Sequence, residues 1–123
     1  MSRSYLFVPS TDFRKMEKAI HSVADAVIFD LEDAVESNQK QKGRESLRTF
    51  LKGNEIQKKV IVRINSPRTE DGKKDLTLLT YLPVDAIMLP KINDVNDLMF
   101  VKEKIQELGV DPVPEMIPII ETV

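Results

Sequence analysis

Five short apolar runs, each followed by a segment of helical periodicity, constrain this chain more than any other feature. The first run, Ser4 to Val8, reads Tyr-Leu-Phe-Val and is closed by Pro9, which has no N–H for a ladder. The second, Ala26 to Phe29, is bounded by acidic residues. The third, Lys59 to Asn65, has a β-branched core. The fourth is Ala86 to Leu89, followed by Pro90-Lys91, and the fifth is Met116 to Ile120, followed by Glu121. Between them lie helical patterns. Phe13, Met16, Ile20 and Val23 form one face after a cap at Thr11 or Asp12. Leu47, Phe50 and Leu51 form another, with Gly53 as the C-terminal cap. Ser66 to Lys73 reads as a loop with an Asp71-Gly72 turn, and a short helix is expected over Lys74 to Leu82. The last helix is expected over Val95 to Leu108 and stops at Gly109. Strand–helix alternation of this kind predicts an α/β fold with a parallel sheet.

The strand exits carry the polar residues of interest. They are Asp30, Glu32 and Asp33, then Arg63 and Asn65, then Lys91, then Glu121. In α/β proteins ligands bind at the carboxyl ends of the strands. Carboxylates there are costly to bury unless a cation or a donor meets them. By strand alternation Asp30 and Glu32 share a face, and so do Arg63 and Asn65.

Composition removes several classes of function. The 123 residues hold 18 basic and 20 acidic side chains, a net charge of −2 that argues for neither nucleic acid nor an anionic membrane. The absence of cysteine excludes disulfides, thiolate metal sites and thiol nucleophiles. A single histidine, His21, excludes histidine-rich metal sites; it is expected mid-helix, without a catalytic role. No apolar run approaches the roughly 18 residues of a membrane helix. The start, Met-Ser-Arg-Ser-Tyr, lacks a signal-peptide core, so the expected location is cytoplasmic.

The constellation at the strand exits suggests a small-acid site that uses Mg²⁺. An arginine fork such as Arg63 holds a carboxylate bidentately. A carboxylate such as Glu121 can ligate Mg²⁺, which polarises a keto group and stabilises an enolate. Plainer readings stand beside this one. Asp30, Glu32 and Asp33 can cap a helix, Arg63 can be a structural ion pair, and Lys91 can be structural. The polar run Asn38 to Arg44 can be a solvated face.

A family resemblance gathers these residues. Leu-Phe-Val-Pro, Lys15-Met16-Glu17-Lys18-Ala19 and Ala24 to Val35 are followed by Val62-Arg63-Ile64-Asn65, Met88-Leu89-Pro90-Lys91 and Ile119-Ile120-Glu121-Thr122. In this order they resemble the citrate lyase beta subunit family, within the HpcH/HpaI aldolase and citrate lyase group. The resemblance implies a (β/α)₈ TIM barrel of the phosphoenolpyruvate/pyruvate type, of which residues 1–123 would be the N-terminal part of a single domain, about its first five strands. It implies Mg²⁺-dependent cleavage or formation of carbon–carbon bonds in citryl-, citramalyl- or malyl-type thioesters of coenzyme A or an acyl carrier, with release or use of a keto acid. By motif match Arg63 binds the substrate carboxylate, and Glu121 contacts substrate and ligates Mg²⁺. Asp30, Glu32 and Asp33 would orient Arg63 or metal-bound water, with Lys91 in support. The implied assembly is a homo-oligomer or a complex with other lyase subunits.

Three departures qualify what the resemblance implies. Ser10 stands where the family usually has glycine, and Val123 where it usually has alanine. A whole barrel takes about 250 residues, so the expectation is a fragment or truncated member that lacks the family's second metal-binding aspartate. A non-catalytic remnant that binds a ligand or partner subunits, and a phosphoenolpyruvate-type enzyme acting on a free acid, are the alternative readings.

Overall fold

The computed structural model describes residues 3–92, 95–109 and 114–120. Strand β1 is Tyr5–Pro9, helix α1 Phe13–Ile20, β2 Ala26–Asp30, α2 Lys40–Gly53 after a 3₁₀ turn at Ser37–Gln39, and β3 Lys59–Arg63. Then come α3 Glu70–Leu79, β4 Ala86–Ile92, α4 Val95–Glu107 and β5 Glu115–Ile120. All neighbouring strands are parallel, and the sheet order is β1-β2-β3-β4-β5. An unbroken parallel order with helices on one face is the arrangement of successive strands in a (β/α)₈ barrel, the expected fold class. No helix among the described residues is long and apolar enough to cross a membrane.

The sheet separates two apolar layers by strand alternation. Val27, Phe29, Val60, Val62, Ile87 and Leu89 face the helices, against Met16, Leu47, Phe50, Leu76, Val101 and Ile105. Phe50 sits near the centre of this layer, edge-on to Phe13 at 5.3 Å and tilted against Phe29 at 5.9 Å. Burial of such a ring contributes about 2–3 kcal/mol. Ala26, Ile28, Ile61, Ala86 and Met88 form a thinner layer on the opposite face. By register Tyr5 and Phe7 stand on that second face, and both are half exposed.

Several elements differ from expectation for local reasons. Pro9 is the last residue of β1, not a stop before it; Ser10 continues the ladder by donating its N–H to Asp30 O at 3.0 Å. Helix α1 ends at Ile20, so His21 is its exposed C-cap and Val23 is fully exposed, outside the core. Asp12 is the N-cap, accepting from Lys15 N. Gly53 is the last residue of α2 and not its cap; Asn54 is the cap, and its Nδ2 donates to Phe50 O at 2.9 Å.

Asp71-Gly72 does not make a turn. Both residues lie in the first turn of α3, which Thr69 caps. Gly72 is required there by close approach, because a Cβ would stand 1.9 Å from Ser66 O. Strand β4 runs through Pro90-Lys91 with an irregularity in its pairing to β5 between Leu89 and Lys91. In α4, Val101 and Ile105 are buried and Met99 is exposed, as is Leu108 just after the helix. Gly109 ends that helix with φ +72°, as its position predicts.

Candidate active site at the carboxyl edge of the sheet

The parallel register sets Asp30 directly opposite Arg63 at the exits of β2 and β3. Both continue the rows that face away from the helices, after Ala26 and Ile28 on one strand and Ile61 on the other. The two side chains form a fork. Arg63 Nε donates to Asp30 Oδ1 at 3.0 Å, and Nη2 donates to Oδ2 at 2.5 Å. The same carboxylate accepts the backbone N–H of Glu32 on Oδ1 at 2.8 Å and of Ala34 on Oδ2 at 3.0 Å. Asp30 is 1% exposed and the Arg63 side chain 16%.

Burial pushes the Asp30 carboxyl up, but the Arg63 guanidinium and the two N–H groups outweigh it and hold the carboxyl below the usual aspartate range. Asp30 in turn raises the already high pKa of Arg63. The Phe7 ring lies under the guanidinium at 4.9 Å. Two of the five guanidinium N–H groups are thus committed to Asp30, and the Nη1 pair has no hydrogen-bond partner among the described residues.

Glu32 Oε1 stands 3.6 Å from Arg63 Nε, outside hydrogen-bond range. Its carboxyl is pushed up by burial first and then by the Asp33 charge, against the pull of Arg63. Asp33 itself is exposed.

The loop that carries these acids is tied from behind. Leu31 N donates to Arg63 O at 2.9 Å. Leu31 O accepts from Asn65 Nδ2 at 2.9 Å and from Lys40 Nζ at 3.1 Å, and Lys40 Nζ also donates to Glu32 O at 2.6 Å. Asn65 does not share the face of Arg63 as strand alternation predicts. The strand ends at Arg63, and Asn65 turns to α3, donating N and Nδ2 to Asp75 Oδ2 at 2.8 and 2.7 Å. Asp75 is fully buried and accepts Arg44 Nη1 on Oδ1 at 3.0 Å. Arg44, read from the sequence as part of a solvated face, is therefore a buried ion-pair member, 5% exposed. Its second partner is Asp71 at 3.2 Å.

Of the sequence candidates, the fold brings Asp30, Glu32 and Arg63 together, with Asp33 beside them. The backbone of Lys91 lies in β4, but its side chain is outside the described residues, and so is Glu121. The described carboxylates do not make a magnesium site by themselves. Asp30 oxygens are filled by Arg63 and two N–H groups, and no group of three or more His, Cys, Asp or Glu among the described residues is arranged to hold a metal. A separate groove of about 470 Å³ on the helix side, between α2 and α3, includes Arg44, Arg48 and Lys73 but neither Asp30 nor Arg63.

Sequence reasoning missed Phe7, Lys40, Arg44 and Asp75. Signals for two of them were present. Arg44 precedes Leu47 and Leu51 by three and seven residues, and Asp75 lies between Gly72 and Leu79 on the same periodicity. A charge on the buried face of a helix needs a buried partner.

Comparison with known proteins bears on the family and the fold. The HpcH/HpaI aldolase/citrate lyase family model matches residues 3–112. A (3S)-malyl-CoA thioesterase of Cereibacter sphaeroides (strain KD131) is 39% identical over 107 residues, 86% of this chain and 38% of the relative. The protein CitE of Mycobacterium tuberculosis, in a complex with magnesium, acetoacetate and coenzyme A, superposes with a TM-score of 0.77 at 31% identity, covering 98% of this chain and 40% of that one. The citrate lyase beta subunit from M. tuberculosis complexed with oxaloacetate and magnesium gives a TM-score of 0.74 at 32% identity, covering 97% and 47%. The chain spans less than half the length of each of these proteins.

Proposed function

The chain belongs to the HpcH/HpaI aldolase/citrate lyase family, and from that premise we propose that it is the N-terminal part of a single barrel domain that breaks or makes a carbon–carbon bond in an acyl thioester and handles a small keto acid. The observation that carries this reading is the Asp30–Arg63 fork at the carboxyl edge of the sheet. A guanidinium gripped on one side by a buried carboxylate, and backed by the Phe7 ring, has little freedom left to lose on binding. Its Nη1 donors are the part of the fork available for the carboxylate of a keto acid.

In this reading Arg63 binds and orients the acid. Asp30 fixes the guanidinium, and the N–H groups of Glu32 and Ala34 fix Asp30. Glu32 and Asp33 add negative charge around the arginine. They favour a cationic companion for the bound acid over a second anion, which fits a divalent metal without making a site for it. Magnesium, present in the CitE and citrate lyase beta complexes, is the proposed cofactor, with Glu121 as its ligand from this chain. When bound it would polarise the keto carbonyl. Cleavage of a 3-hydroxyacyl thioester then needs loss of the hydroxyl proton. The carbon–carbon bond electrons pass to the thioester α-carbon, which takes up a proton. The keto acid stays on Arg63 until release.

A second reading, hydrolysis of the same thioesters, is favoured by the 39% identity to the malyl-CoA thioesterase. One assay separates the two. The protein is supplied with Mg²⁺ and malyl-, citramalyl- or citryl-thioesters, and both keto acid and free thiol are measured. Keto acid without free thiol supports the lyase, free thiol without keto acid supports hydrolysis, and neither product contradicts both.

A further inference from the structure

We infer that Asn65 and Lys40 are positioning residues which clamp the acidic loop 31–34, and through it hold the Asp30–Arg63 fork in its binding geometry. The inference rests on the reading of Arg63 as the keto-acid arginine. It starts from where the loop is held. Leu31 O receives one donor from each side, Asn65 Nδ2 from the β3 exit and Lys40 Nζ from α2. Lys40 also takes Glu32 O. The N–H groups of Glu32 and Ala34 then donate forward to Asp30. The Leu31 and Glu32 carbonyls thus face the clamp while the Glu32 and Ala34 N–H groups face the carboxylate that grips Arg63.

The clamp has an anchor in the helix layer. Asn65 is 8% exposed; its backbone N–H and one Nδ2 hydrogen go to Asp75, which is fully buried and paired with Arg44, and the other Nδ2 hydrogen goes to Leu31 O. Burying such a pair is expensive, and a hydrophobic pair of similar volume would often stabilise the fold at least as well. A satisfied polar network gives direction instead: each member accepts only one arrangement of the next. Here the direction runs from Arg44 through Asp75 and Asn65 to Leu31 O, one residue after Asp30. Gly72 makes this geometry possible, because its missing Cβ lets α3 approach the Ser66 carbonyl just beyond Asn65.

The test reads the fork itself and needs no turnover. In ¹⁵N-labelled protein the Arg63 Nε–H resonance reports its hydrogen bond to Asp30. Asn65→Ala is expected to shift or broaden that resonance, and to weaken pyruvate binding in the presence of Mg²⁺ by about 10-fold, one pair of hydrogen bonds' worth. Lys40→Met, at a half-buried position outside the apolar core, is expected to move the resonance in the same direction. Asp71→Asn, which alters only the half-exposed partner of Arg44, is expected to leave it in place. In an Arg63→Ala background, Asn65→Ala should cost no further affinity, whereas a merely structural role would lower stability equally in both backgrounds. An unmoved Arg63 resonance in both Asn65→Ala and Lys40→Met overturns the inference, whatever happens to the melting temperature. A moved resonance in a protein that binds no keto acid supports the clamp and overturns the functional reading alone.

Discussion

Asp30 and Arg63 face each other across the β2–β3 register and are joined by two hydrogen bonds of 3.0 and 2.5 Å. Each is costly to bury alone, and each offsets part of the other's cost. The pair is also the point where strand pairing, loop geometry and ligand chemistry meet, so its titration reports on all three.

The pH dependence of stability follows from the sign of each shift. Asp30 is held below its ordinary value of 3.8, so the fork's stabilisation is complete above that value and is lost as pH falls through the lower folded value. Glu32 is held above 4.5, and Asp75 above 3.8, by burial. For these two the folded protein takes up protons first. Their ionised forms carry a penalty at neutral pH, relieved as pH falls toward the ordinary values. Chemical denaturation from pH 7 to pH 3 should therefore show stability sustained or rising until the ordinary carboxylate range is entered, then falling. In Asp30→Asn the loss below pH 3.8 should be smaller than in the wild type. An equally steep acid limb in that variant contradicts the assignment.

Gly72→Ala should be among the most damaging small substitutions. Its Cβ would meet backbone at 1.9 Å and 2.4 Å, where no flexible side chain can give way. A loss of about 3 kcal/mol is expected, at the upper end of overpacking costs. The denaturation midpoint should fall at unchanged slope. Gly53→Ala is the control, since nothing lies within 4 Å of its added Cβ.

Ser10→Ala should stabilise the protein. The Ser10 side chain is fully buried, and its Oγ has no hydrogen-bond partner among the described residues. An unsatisfied buried hydroxyl costs about 1–3 kcal/mol, and alanine removes it while keeping the Cβ. A rise of about 1 kcal/mol in unfolding free energy is expected. A fall would mean that the hydroxyl has a partner the buried environment does not reveal.

The strand–helix order was legible because each strand is a short apolar run and each helix an amphipathic one. The site was legible in part for a related reason: Asp30 and Arg63 end their strands on the same alternating face, so a parallel sheet brings them to one edge. Asn65 shows where that reasoning stops. Alternation carries a side chain to a face only while the strand lasts, and β3 ends two residues earlier. The Asp71-Gly72 pair misled because turn chemistry and close helix packing both select glycine. For Arg44 and Asp75 the helical spacing marked each as a charge on a buried face, but they come from different helices, and nothing local in either segment says that the two faces meet.

The most direct test of the central claim is calorimetric binding of pyruvate or oxaloacetate, with Mg²⁺, to the wild-type protein and to Arg63→Ala and Arg63→Lys. Loss of a buried, hydrogen-bonded charge partner costs about 3 kcal/mol, or about 100-fold in affinity. Lysine should recover only part of it, because a point charge cannot reproduce the fork. A keto-acid affinity in Arg63→Ala equal to that of the wild type would contradict the account, and would return Arg63 to the role of a structural ion pair with Asp30.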